Sequence, residues 1–223
     1  PHGEDYDYPE TAYGVISWWD YGHWITRIAH RIPIANPFQQ GASTAGHYFT
    51  AQNLTSANEM MDELGAKYVI IDYPMVTGKF YAMAAFPKKS SNEFYGFYYA
   101  PVEGGMLQPV QLFYPSYYNS TVVRLYNFDG KEVSESPIVI SWQRTLVQEG
   151  IWINQITGSW SFPGYEEAEA YIASQESGNY RIVSNDPFVS PVPLEKMEHY
   201  SLAYNSSQLA GDNPYIKIFE YTE

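Results

Sequence analysis

Trp18-Trp19-Asp20-Tyr21-Gly22 places two indole N–H donors beside a carboxylate acceptor. An aliphatic hydroxyl has one proton to donate and two lone pairs to accept with, so two indoles and one carboxylate could satisfy it completely. If such groups converge on a ligand hydroxyl, an analogue lacking it leaves buried polar atoms unpaired, a penalty that can reach about 10⁴-fold in discrimination. The cluster therefore has the chemistry of a hydroxyl reader, and Gly22 adds a residue that permits unusual backbone angles. The same five residues also admit a structural reading, with both Trp as core anchors and Asp20 as the cap of a following helix.

A second group follows further along. On a helix, Met75, Lys79 and Met83 fall at i, i+4 and i+8, with Asp72 at i−3, so all four would share one stripe and could line one wall of a pocket. Here the structural alternative is a Met pair packed in the core with Lys79 spanning to solvent. Other chemistry-bearing residues form no set. His23 and His30 are two ligands at most, too few for a metal site. Glu166-Glu167 opens an expected helix, where negative charge favours the dipole, and needs no glycosidase role. With no cysteine there is no disulfide, zinc–thiolate cluster or thiol nucleophile. Gly104-Gly105 reads as a turn and not as a phosphate loop. No residue of the chain is assigned a catalytic or metal-binding role.

The elements that must position these groups are legible in part. Residues 1–11 read as a polar lead-in and 12–223 as a single mixed α/β domain. Ile32-Pro33-Ile34-Ala35 is a short apolar run ended by Asn36-Pro37, hence a strand. Hydroxyls at Thr55 and Ser56, Met60, Met61 and Leu64 at helical spacing, and Gly65 as a stop predict a helix. The β-branched run Lys67–Asp72 predicts a strand buried on both faces, which completes a βαβ-like core. A second helix runs from Pro74 to about Phe86, kinked or shortened at Gly78. The segment 92–157 is strand-rich and antiparallel, a possible subdomain, with strands expected at Phe94–Tyr99, Thr121–Asn127 turning at Asp129-Gly130, Ile138–Trp142 and Ile151–Ile156. A closing helix, Glu166–Gln175, and strands at Tyr180–Ser184 and Tyr215–Tyr221 end the chain.

The 223 residues are enough for one full core. A net charge of −13, from 25 acidic against 12 basic residues, makes nucleic acid or an anionic bilayer a poor partner. No stretch approaches the roughly 18–20 apolar residues of a membrane span. The chain opens without Met on an acidic run leading into an aromatic cluster, as a domain cut from a longer protein would. Twenty-two tyrosines suit a wet surface facing sugar or peptide. Asn53-Leu54-Thr55, Asn119-Ser120-Thr121 and Asn205-Ser206-Ser207 are N-glycosylation sequons.

All five positions from Trp18 to Gly22 match WWDYG, the signature of oligosaccharyltransferase catalytic subunits, eukaryotic, archaeal and bacterial. The continuation Gly22-His23-Trp24-Ile25, Arg31–Asn36 and the strand Lys67–Asp72 resembles the family's as well, so the likeness covers residues 13–86. Asp72–Met83 resembles the longer variant, DxxMxxxKxxxM, of the family's second motif, which points to the archaeal AglB type; the strict short spacing is absent. The resemblance implies a C-terminal domain on the extracellular face of a multi-pass membrane enzyme, inactive alone. That enzyme moves an oligosaccharide from a dolichol-linked donor to Asn in Asn-X-Ser/Thr, with Mn²⁺ or Mg²⁺ held outside this chain. It further implies a pocket for the +2 Ser/Thr, with Trp18, Trp19 and Asp20 on the hydroxyl, Met83 on the Thr methyl and Lys79 alongside. Tyr21, Gly22, Asp72 and Met75 would support that pocket. The rival reading is a non-catalytic extracellular carbohydrate-binding module with aromatic side chains stacked on sugars.

Overall fold

The computed structural model describes residues 8–222, which form two compact units. The first contains the chain through Lys89, Ser120–Gly130 and the stretch from Met197 onward; the second contains Ser90–Asn119 and Lys131–Lys196. Most of the expected lead-in lies outside the described residues.

Elements are numbered along the chain. The first unit is built on β1 (Gly14–Ile16), β2 (Ile32–Pro33), β3 (Ala66–Asp72), β9 (Tyr200–Asn205) and β12 (Ile216–Tyr221), in the order β2-β1-β3-β12-β9. β1 runs parallel to both β2 and β3, whereas β12 is antiparallel to β3 and to β9. The expected βαβ-like core is present with β1 inserted between β2 and β3, and β12 and β9 extend it. Three buried residues, Gly14-Val15-Ile16, are too few to show an alternation in sequence. β3 is the central strand, and its Val69 and Ile71 are fully buried. A two-stranded hairpin, β10 (Leu209–Ala210) with β11 (Asn213–Pro214), sits between β9 and β12 in sequence.

The helices of this unit are α1 (Gly22–Trp24), α2 (Ala42–Phe49), α3 (Leu54–Glu63), α4 (Tyr73–Val76), α5 (Phe80–Ala85) and α7 (Thr121–Phe128). α3 is the expected helix, but its cap is Asn53, whose side chain accepts from the Ser56 N–H at 2.8 Å, and not the hydroxyls at Thr55 and Ser56. Gly65 (φ 54°) takes the left-handed turn that ends it. Gly46 lets α2 and α5 meet, because a Cβ there would lie 2.7 Å from the Met83 carbonyl oxygen.

Three expectations need correction. Thr121–Asn127 is helix α7 and not a strand, since its β-branched residues serve a helix buried on nearly every side, from Thr121 to Tyr126. Asp129-Gly130 is the cap of that helix and not a hairpin turn: Asp129 is left-handed at φ 55° and the Gly130 N–H reaches back to the Arg124 carbonyl at 2.9 Å. The helix from Pro74 to Phe86 is divided into α4 and α5 where Thr77 leaves helical geometry (φ −126°, ψ −105°). The kink was expected, but Asp72, Met75, Lys79 and Met83 consequently share no straight stripe.

The second unit is a five-stranded sheet of β4 (Tyr95–Pro101), β5 (Leu107–Phe113), β6 (Ile138–Gln148), β7 (Ile151–Ser161) and β8 (Asn179–Val183), in the order β5-β4-β7-β6-β8. Its pairings are antiparallel except where β4 meets β7 in parallel at Tyr99 and Gln155. β5 was not anticipated; it carries Pro109, which an edge strand tolerates. α6 (Pro115–Asn119) and α8 (Tyr165–Ala173) complete the unit. One cluster gathers Tyr98, Leu112, Tyr114, Ile140 and Val183, and another packs Val139, Ala168 and Ile182 under α8 residues.

Candidate functional site

Trp18–Gly22 and Asp72–Met83 all lie in the first unit, at and beyond the carboxyl ends of two neighbouring parallel strands. β1 ends at Ile16 and leads through Ser17 into Trp18–Gly22; β3 ends at Asp72 and leads into α4. In sheets where the chain crosses over the first strand, as β2-β1-β3 does, the crevice outside the carboxyl ends is where ligands sit.

After an extended Trp18 (φ −66°, ψ 152°), the chain turns once as a 3-10 helix over Trp19–Tyr21, passes through α1 and makes a π turn at Ile25–Ala29. Trp18 is 2% exposed and meets Phe86 edge-on at 5.4 Å. Trp19 and Asp20 are only half-buried, and the two indoles lie 6.4 Å apart. Asp20 does not cap a helix by its side chain. Gly22 is needed for space and not for unusual angles: its backbone is ordinary helix (φ −56°), and a Cβ would come within 2.6 Å of both the Ala35 carbonyl oxygen and the Asn36 Cα.

Lys79 joins the two segments. Its ammonium donates to Asp20 Oδ2 at 2.5 Å and to Asp72 Oδ2 at 2.9 Å, and it lies 5.7 Å from the centre of the Tyr21 ring. Asp72, 1% exposed, also accepts from the Tyr21 hydroxyl at 2.8 Å through Oδ2 and from the Met75 N–H at 3.0 Å through Oδ1. Burial, reinforced by Asp72, pushes the Tyr21 hydroxyl far above the ordinary tyrosine range, so it remains a donor. Burial pulls the Lys79 ammonium down, but hydrogen bonds to Asp20 and Asp72 outweigh it and the net direction is up. Asp20 differs from its neighbour: Oδ1 is buried and has no hydrogen-bond partner. A buried acceptor left unmade costs about 1–3 kcal/mol, and in a folded protein it calls for an explanation.

The structure thus brings together Trp18, Trp19, Asp20, Tyr21, Asp72 and Lys79. Met75 and Met83 are fully buried and line no open surface. Sequence reasoning missed the acceptor that Tyr21 finds in Asp72, the ring of Phe86 behind Trp18 and the Ala35–Asn36 backbone behind Gly22. Each pair lies far apart along the chain, and no local pattern announces such partners. Among the described residues no group of three or more His, Asp or Glu is placed to hold a metal ion, and no helix is long and apolar enough to cross a membrane.

Residues 3–76 match the AglB core domain family. Over 228 aligned residues the chain is 33% identical to the dolichyl-monophosphooligosaccharide–protein glycotransferase AglB of Haloferax volcanii, covering 93% of this chain and 21% of that protein. It is 38% identical over 156 residues to the dolichyl-phosphooligosaccharide–protein glycotransferase 3 of Archaeoglobus fulgidus, covering 59% of this chain and 18% of the relative. The crystal structure of the Archaeoglobus fulgidus oligosaccharyltransferase in complex with Zn and sulfate superimposes with a TM-score of 0.55 at 26% identity, over 98% of this chain and 30% of that one. The chain therefore spans about a fifth of the length of these curated relatives. With the WWDYG pentapeptide in place, the core-domain match and an alignment running nearly end to end, the chain belongs to the AglB family of oligosaccharyltransferases.

Proposed function

We propose that this chain is the C-terminal, extracellular domain of a multi-pass membrane oligosaccharyltransferase, which moves an oligosaccharide from a dolichol-linked donor onto Asn in Asn-X-Ser/Thr. In this reading Trp18, Trp19 and Asp20 recognise the +2 hydroxyl of the acceptor. The observation that carries it is the buried Asp20 Oδ1 without a partner, beside Trp18 and Trp19 and at the carboxyl ends of β1 and β3. A ligand O–H donating there would offset the desolvation already incurred, and neighbouring indole N–H groups could fill its lone pairs. Lys79 holds Asp20 Oδ2 and so turns Oδ1 toward its task; Tyr21, Gly22, Asp72 and Met75 fix the frame. Met83, fully buried, would reach a Thr methyl only if α5 shifts. The transfer itself needs a divalent cation, Mn²⁺ or Mg²⁺, to neutralise the leaving phosphate. In this reading the ligands of that ion belong to the remainder of the enzyme.

The test is glycan transfer to an Asn-X-Thr peptide by the full-length protein in membranes, at matched expression. Asp20→Ala is expected to lower transfer at least about tenfold, the scale of a buried acceptor removed from a hydroxyl. A peptide with Ala at +2 should be a poor acceptor for wild type and variant alike. Unchanged transfer by Asp20→Ala would return Trp18, Trp19 and Asp20 to a packing role. Binding of free glycans with no dependence on the hydroxyl would favour the carbohydrate-binding module instead.

A further inference from the structure

We infer that the folded domain is itself an acceptor, and that of its three sequons Asn205-Ser206-Ser207 is the one that carries a glycan. The inference rests on the proposed function: a domain that reads acceptor hydroxyls stands on the side of the membrane where donor is consumed, so its own sequons meet that donor.

The three tripeptides are presented in different ways. In Asn119-Ser120-Thr121 the hydroxyl residues cannot be offered, because Ser120 is 0% and Thr121 2% exposed and both the N–H and the hydroxyl of Thr121 are turned onto the Ala51 carbonyl. Asn53-Leu54-Thr55 is exposed at Asn53 but held, since the Asn53 side chain caps α3 through the Ser56 N–H and Thr55 is in the first turn of that helix. A helical turn keeps the +2 hydroxyl from a pocket that must take in Asn and hydroxyl together.

Asn205 is free of both constraints. It is the last residue of β9, an edge strand of the sheet, and its side chain is exposed and makes no hydrogen bond among the described residues. Ser207, also exposed, lies in the bend leading to β10, with its hydroxyl free. Asn205 is paired with Lys217 through its backbone, and Ser206 is the one of the three whose side chain is tied down, its hydroxyl donating to the Gln208 carbonyl at 2.8 Å and accepting from the Ile216 N–H at 3.0 Å. The middle position of a sequon accepts any residue but Pro. In the reaction the Asn205 Nδ2 bonds to the anomeric carbon of the donor's first sugar, the bond from that carbon to the phosphate oxygen breaks, and the amide proton lost from nitrogen balances the phosphate released.

Trypsin places each sequon on its own peptide: Asn53 within 32–67, Asn119 within 90–124 and Asn205 within 197–217. The full-length protein, purified from membranes of its source organism, is digested and its peptides weighed, with transfer to an exogenous Asn-X-Ser peptide assayed in the same membranes. The expected result is a glycan mass on 197–217 that vanishes in Asn205→Gln, with 32–67 and 90–124 unmodified. A bare 197–217 in membranes that glycosylate the exogenous peptide overturns this inference and leaves the proposed function standing. A glycan on 90–124 in preference to 197–217 overturns it too, since transfer would then precede folding. Membranes that modify neither the exogenous peptide nor 197–217 overturn the inference and the proposed function together.

Discussion

Asp20 and Asp72 share one lysine, yet the segments that carry them are built to opposite ends. Asp72 terminates β3 with both oxygens engaged, by the Met75 N–H, the Tyr21 hydroxyl and the Lys79 ammonium. Asp20 commits one oxygen to Lys79 and leaves the other buried and unmatched. The difference shows that one shared lysine can leave two carboxylates in unequal states. One carboxylate locks two loops together, and that lock fixes a second carboxylate whose other oxygen meets no hydrogen-bond partner among the described residues.

The comparison breaks first at Asp72. Asp72→Ala removes the α4 cap, worth about 1 kcal/mol, and leaves the part-buried Tyr21 hydroxyl without an acceptor, a further 1–3 kcal/mol or so. A loss of about 2–4 kcal/mol is expected in urea denaturation followed by tryptophan fluorescence. Asp20→Ala should cost no more than about 1 kcal/mol in the same experiment, because its ion pair is about a third exposed and screened. Equal losses would make the two carboxylates equivalent structural groups and undo the distinction.

The next effect in size sharpens it by asking what holds the Asp20 segment. No side-chain hydrogen bond caps the Trp19–Tyr21 turn, and its fixed point is Gly22 against the Ala35–Asn36 backbone. Gly22→Ala introduces a methyl at 2.6 Å from two backbone atoms, which must move apart. Overpacking of this kind costs about 1–3 kcal/mol. Because the displaced segment carries Asp20, peptide transfer should fall along with stability. A variant with unaltered stability and transfer would mean the approach is not what positions the loop.

How much of this was legible in the sequence follows from where the information lies. Trp18–Gly22 and Asp72–Lys79 could be picked out because their chemistry is local, and β3, α3, α8 and β12 because each has a long, regular apolar pattern. β1 is three residues and β9 exposes all but Tyr200, so neither has a pattern to read. α7 misled because Thr121-Val122-Val123 favours strands in isolation, and only burial on nearly all sides makes it a helix. The contact of Lys79 with Asp20 spans fifty-nine residues and depends on β1 and β3 being neighbours. The resemblance set Asp20 apart from Asp72 in advance, but the lysine that ties the two together was not visible as their common partner.

The smallest effect concerns the lysine that joins them, and it is read in alkali. Lys79 titrates above its ordinary 10.5, with Asp20 and Asp72 overcoming the burial that would lower it. A group whose folded value is raised contributes stability that is fully present below the unfolded value and is lost as pH climbs through the folded one. Tyr21 has the same sign, since its hydroxyl is held protonated by burial and by Asp72. Wild type should therefore lose stability above about pH 10.5 more steeply than Lys79→Met, which keeps Tyr21 but has no ammonium to discharge. Lys79→Met starts lower at neutral pH, because two carboxylates then face each other across the space the ammonium filled, so the gap between the proteins should narrow as pH rises. Parallel stability curves through that range would mean that the ammonium does not hold the two carboxylates together, and the open oxygen of Asp20 would need another cause.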